Sequence, residues 1–164
     1  MRKQDIDNTA DILDSCDIIA RIEELEEERE GYAEDVTEKK DALNEAAELV
    51  EDNAEDEADI ETAQEAHKDA VAALADWDAD NASELKALRA LADEAEGYAD
   101  DWRHGVQLIR ESYFVDAMRE SCEDCGDVSK DIPSYIVIDW DATAENLKAD
   151  YTEVDFNGVT YYVR

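Results

Sequence analysis

From Ile18 onward a series of positions recurs with alternating four- and three-residue spacing: Ile18, Ile22, Leu25, Arg29, Tyr32, Val36, Lys39, Leu43, Ala46 and Val50. This is the spacing of a coiled-coil seam, whose a and d positions repeat every 3.5 residues. Asn8 or Thr9 is available as an N-cap ahead of Ile12 and Leu13. The pattern predicts a helix from about Asp11 to Asp52, roughly 63 Å long at 1.5 Å per residue. Two seam positions are cationic and Gly31 falls mid-helix, so the coil is expected to be imperfect. Residues 53–57 read as a reversal. Ile60, Ala63, His67, Ala70, Leu74 and Trp77 then form a second, alanine-rich seam. Small side chains permit close antiparallel packing, and a helical hairpin is the simplest arrangement. A third, short helix is expected after Asn81 or Ser83 as cap, carrying Leu85, Leu88 and Leu91 and ending before Gly97.

Beyond a connector at residues 97–102 the pattern changes. Val106, Ile109, Tyr113 and Met118 predict a helix from about Trp102 to Asp124, closed by Gly126 at C′. Tyr135-Ile136-Val137-Ile138 is rich in β-formers. Asp139 is placed to cap a short helix from Trp140 to Ala149. From Tyr151 to Arg164 apolar and polar residues alternate around Asn157-Gly158, a pair suited to the positive φ angles of a type I′ hairpin turn. The expected fold is mainly α: a long acidic helical hairpin or coiled coil over residues 1–96, then a small α+β domain over 97–164 that ends in a β-hairpin.

Charge changes what these helices can be for. The 164 residues carry 48 acids against 15 Lys and Arg, a formal net charge of −33. A surface this acidic repels nucleic acid and anionic lipid, whose phosphates require clustered cations. No apolar run approaches the roughly 20 residues of a membrane span. No signal-peptide pattern opens the chain, and three cysteines fit a reducing cytoplasm, that of a host cell if a phage encodes the protein. Residues 11–62 alone carry a net −18.

With the first seam as a and d, the outward b, c and f positions from Glu23 to Glu55 number 15. Twelve are acidic: Glu23, Glu24, Glu27, Glu30, Glu34, Glu38, Asp41, Glu45, Glu48, Glu51, Asp52 and Glu55. None is basic. Exposed helices ordinarily place Lys four residues from Glu, whereas six outward pairs here are like-charged, a self-repulsion of about 1–3 kcal/mol in total. Twelve charges over about 48 Å of helix is one per roughly 4 Å, close to the one phosphate per about 3.4 Å of a DNA strand. All 33 charges equal the phosphates of roughly 16–17 base pairs. A helix so charged can occupy a basic DNA groove on another protein. Two plainer readings compete. Salt-loving organisms use acidic, lysine-poor surfaces throughout their proteins, which predicts diffuse acidity. A coiled-coil dimerisation arm explains the seam but not the missing outward lysines.

Candidate chemistry is sparse. Cys122 and Cys125 have the spacing of half a zinc site, yet no second cysteine pair completes four ligands. Asp76, Asp78 and Asp80 resemble the start of a calcium loop, but Asn81 stands where glycine is required and Ala87 where the bidentate Glu should be. Phosphate-loop, nucleophile-elbow and zinc-protease motifs are missing from the sequence. The chain is read as a non-enzyme, with no catalytic residue, no cofactor and no metal.

Leu108-Ile109-Arg110, Tyr113-Phe114, Ile138-Asp139-Trp140, Ala144, Leu147, Asp150-Tyr151 and the closing hairpin lie within about 65 residues. This stretch resembles the C-terminal part of ArdA-type antirestriction proteins, and phage and prophage proteins with a Glu-rich helical N-terminus still more closely. The resemblance implies an acidic, elongated, often dimeric DNA mimic that occupies the DNA site of type I restriction–modification enzymes. The helical seam before residue 97 departs from that family's successive small α+β domains, so a CRISPR effector is an equally open target. The partner expected is a host DNA-binding defence complex, engaged by the twelve acids above together with Asp116, Glu120, Asp141 and Glu145. Neither nucleic acid nor membrane is expected as a partner, and a homodimer is possible on the family pattern. The alternative is a halophile-adapted structural protein with an oligomerisation arm.

Overall fold

The computed structural model describes residues 6–50, 57–129 and 131–164. Its first element is a strand rather than a helix. Ile12–Asp14 (β1) pairs antiparallel with Gln107–Arg110 (β2), setting Leu13 opposite Leu108. The expected N-cap at Asn8 or Thr9 is therefore displaced to Asp14, whose carboxylate accepts the Cys16 N–H at 2.8 Å. From there α1 runs over Ser15–Val50, continuous through Gly31, where an added Cβ would meet nothing within 4 Å.

A second long helix, α2, covers Glu57–Glu96 without interruption. The third helix expected after Asn81 or Ser83 is its C-terminal half. Asn81 caps nothing; its Nδ2 donates to the Trp77 carbonyl one turn back at 3.0 Å. The seam simply continues, with Leu88, Leu91 and Ala95 buried at the same spacing. The long helix expected over 102–124 is likewise divided. A single turn, Trp102–Gly105 (α3), ends at Gly105 with φ 99°, the chain extends as β2, and a 3₁₀ turn at Glu111–Tyr113 leads into Phe114–Cys125 (α4). Gly126 stops α4 in the left-handed conformation, φ 81°, as the sequence predicts. Trp140–Leu147 (α5) begins where Asp139 accepts the Ala142 N–H at 3.0 Å, again as expected. Thr152–Phe156 (β3) and Val159–Val163 (β4) form the predicted hairpin, with φ 51° at Asn157 and 79° at Gly158. Tyr135–Ile138 joins no strand of the sheet.

The four strands make one antiparallel sheet in the order β1-β2-β4-β3. Ile109 and Tyr162, opposite each other, share a core with Phe114, Ala117, Met118 and Ala144 of α4 and α5. Phe114 meets Tyr151 edge-on at 5.1 Å and Tyr162 at 4.7 Å. On the other face Leu13, Leu108, Val154, Phe156, Tyr161 and Val163 are all buried.

The chain divides into two compact units: residues up to Arg21 with Ala87–Arg164, and Ile22–Lys86. The division expected at residue 96/97 moves because β1 and the buried Ser15 tie the N-terminus into the sheet-bearing unit. Ser15 Oγ donates to the Trp102 carbonyl at 2.6 Å and accepts the Val106 N–H at 2.7 Å, and Ser15 N–H donates to the Val106 carbonyl at 2.9 Å. A mainly α chain with one small antiparallel sheet results. No helix among the described residues is long and apolar enough to cross a membrane.

Candidate protein-binding surface

In the helical unit, residues 22–86, α1 and α2 return on each other. Arg29 donates to both carboxylate oxygens of Asp78, at 2.8 and 3.4 Å. Trp77 Nε1 donates to Glu28 at 3.1 Å, and the Tyr32 and Trp77 rings lie 6.5 Å apart. These residues are about 21 positions from Val50 on one helix and from Glu57 on the other, equal arms as a hairpin requires. Of the two seam cations, Arg29 is thus part of the pairing, while the ion pairs of Lys39 lie within α1. The hydrogen bond and charge of Asp78 hold the Arg29 guanidinium above its ordinary pKa. Lys39 is raised likewise, first by its hydrogen bond to Glu38 at 3.2 Å and then by Asp35 at 3.5 Å.

Burial along the first seam is less complete than its spacing suggests. Leu25 is fully buried, whereas Ile22, Val36 and Leu43 are half-buried and Tyr32 is exposed. One partner helix covers one stripe, and the alanines of α2 are too small to enclose larger side chains opposite them. What this arrangement leaves in water is the outward face of α1. Twelve outward positions from Glu23 to Glu48 are described, and nine are acidic. Glu23, Glu27, Glu30, Glu34, Glu38, Asp41, Glu45 and Glu48 are exposed, and Glu24 is half-buried rather than exposed. Glu51, Asp52 and Glu55, with the reversal around them, lie outside the described residues. Gly31, Thr37 and Asn44 complete the face, which holds no base.

The second helix supplies an internal comparison that the sequence reading missed. Its own seam defines twelve outward positions from Glu61 to Lys86, all exposed. They comprise four acids, two lysines, four alanines, Thr62 and Ser83. The signal was available in the continued spacing after Trp77, hidden by reading Asn81 as a cap. At the outward positions, acids are therefore denser on α1 than on α2.

Asp116, Glu120, Asp141 and Glu145 belong to the other unit, two on α4 and two on α5, and all are exposed. Two of them have partners: Glu120 accepts the Tyr113 hydroxyl at 3.0 Å, which raises the phenol's pKa, and Lys148 lies 3.3 Å from Glu145. The cysteines are free thiols; Cys16 and Cys125 are exposed and Cys122 half-buried. Among the described residues no group of three or more His, Cys, Asp and Glu side chains is placed to hold a metal ion. No family model, curated protein or solved structure matches the chain.

Proposed function

We propose that this protein is a DNA mimic that occupies the nucleic-acid-binding site of a host defence complex, a type I restriction–modification enzyme or a CRISPR effector. One observation carries the reading: nine acids and no base over the outward face of α1, against four acids and two lysines over an equal number of positions on α2. Helix stability does not favour that arrangement, since like charges at i, i+4 repel. A basic groove does favour it. Phosphate-like spacing lets the face release the partner's bound anions and compete with duplex by the electrostatics that drive DNA binding. Salt adaptation calls for diffuse acidity, and the alanine-rich outer face of α2 argues against it. The resemblance of residues 97–164 to ArdA-type proteins supports the same class of partner. The chain then acts by occupancy, without catalysis, cofactor or metal.

The test is affinity capture from a bacterial lysate followed by elution with duplex DNA. The proposal expects a nucleic-acid-binding defence complex, released by duplex and by salt. Captured complexes that resist a large excess of duplex would refute it.

A further inference from the structure

Among the described residues the two most exposed large apolar side chains, Tyr135 and Val137, stand on either side of a third exposed one, Ile136. Tyr135 is 84% exposed, Ile136 51% and Val137 88%. Exposure alternates along the segment. Ile136 and Ile138, the less exposed pair, line an open depression of about 300 Å³ with Val128, Ile132, Pro133 and Trp140. Tyr135 and Val137 are thus the residues left outward, Tyr135 on a turn closed by the Ile136 N–H donating to the Pro133 carbonyl at 2.9 Å. The segment belongs to no sheet, although β-branched and aromatic residues favour one. Asp127, Asp131, Asp139 and Asp141 flank it and are exposed, and in sequence Lys130 is the one base between Arg119 and Lys148.

We propose that residues 134–138 are an apolar anchor, whose turn inserts Tyr135 and Val137 into an apolar slot bordered by lysine or arginine on the basic partner that the outward face of α1 engages. The inference rests on the mimic reading and adds the contact that mimicry lacks. Exposed charge accelerates encounter and sets specificity, but slow dissociation comes from a few desolvated aromatic and aliphatic side chains. The flanking aspartates select the occupant. A second copy of this chain would bring those acids against their own kind, whereas a cation-rimmed slot complements them. Lodging Ile136 and Ile138 against Trp140 and Ile132 holds Tyr135 and Val137 outward before binding, which reduces the ordering cost of association.

The experiment measures displacement of labelled duplex DNA, and dissociation rate, on a purified type I restriction–modification complex and a purified DNA-targeting CRISPR effector. Three proteins are compared: the unaltered chain, Y135S with V137S, and a control with Glu27, Glu30, Glu34, Glu38 and Asp41 all changed to Lys. The double serine variant is expected to fold normally, to dissociate at least tenfold faster, and to keep its association rate and salt dependence. Unchanged dissociation of that variant, with displacement lost in the five-lysine control, would overturn the anchor and leave mimicry standing. Failure of the unaltered chain to displace duplex from either complex would overturn both. A sedimentation coefficient that falls in the double serine variant would show self-association through this segment and overturn the anchor in its stated form.

Discussion

Replacing Leu25 with alanine tests the helical pairing that presents the acidic face. Among the first-seam positions of the helical unit whose burial is described, Leu25 alone is fully enclosed. The substitution removes the equivalent of three methylenes, about 2.4 kcal/mol of transfer free energy at roughly 0.8 kcal/mol each. Any cavity that fails to collapse adds to this, and Leu-to-Ala changes at fully packed sites cost about 2–5 kcal/mol. For a chain of this length each kcal/mol lowers the melting temperature by about 2–4 °C, so the expected fall is at least about 5 °C. Urea unfolding followed by helix ellipticity at 222 nm measures it. Leu43→Ala serves as the internal control, because that side chain is only half-buried and should lose about half as much. A loss below about 0.5 kcal/mol at Leu25, or an equal loss at both sites, would refute the register and with it the assignment of the outward face.

Ser15→Ala leaves the buried Trp102 carbonyl and Val106 N–H without their side-chain partner and should destabilise the sheet-bearing unit by about 1–3 kcal/mol, measured by denaturant unfolding. Burial raises the pKa of Tyr161, with Arg110 partly opposing it, and of Tyr162, so both phenols ionise more readily once unfolded. Their contribution is fully present below the unfolded value of about 10 and is lost as pH rises beyond it. Tyrosine difference absorbance should therefore rise together with loss of ellipticity above about pH 10. A midpoint of unfolding unchanged from pH 9 to 11 would contradict this. Helix content should be complete at about 0.15 M salt; loss of helix there, recovered only in molar salt, would favour salt adaptation over mimicry.

Elements set by local chemistry were legible in the sequence. Asn157-Gly158 supplies its own positive φ angles, Asp139 its own cap and Gly126 its own stop. Elements defined by distant partners were not. Ile12–Asp14 is a strand only because Gln107–Ile109 lies beside it, about 95 residues away, and by itself it continues a helical pattern. Val106 and Ile109 fit a helix by spacing, but Gly105 breaks the chain at φ 99°. The converse error occurred at residues 135–138, where β propensity finds no neighbouring strand and leaves Tyr135 and Val137 in water. For the candidate surface, spacing located the exposed acids of α1. It missed the half-burial of Glu24, and it missed the contrast with α2 because Asn81 interrupted a seam that in fact continues.

Charge reversal on α1 tests mimicry most directly. Changing Glu27, Glu30, Glu34, Glu38 and Asp41 together to Lys places cations where the partner's own cations lie. Within the helix the pairs 23/27 and 41/45 become attractive, 30/34 and 34/38 merely exchange one repulsion for another, and the contact of Glu38 with Lys39 is lost. Stability should stay within about 1 kcal/mol of the unaltered chain. Duplex displacement from the captured defence complex is then measured with both proteins at equal salt. Mimicry through α1 predicts a folded variant that no longer displaces DNA; a folded variant that displaces it as well as the unaltered chain does would contradict that claim.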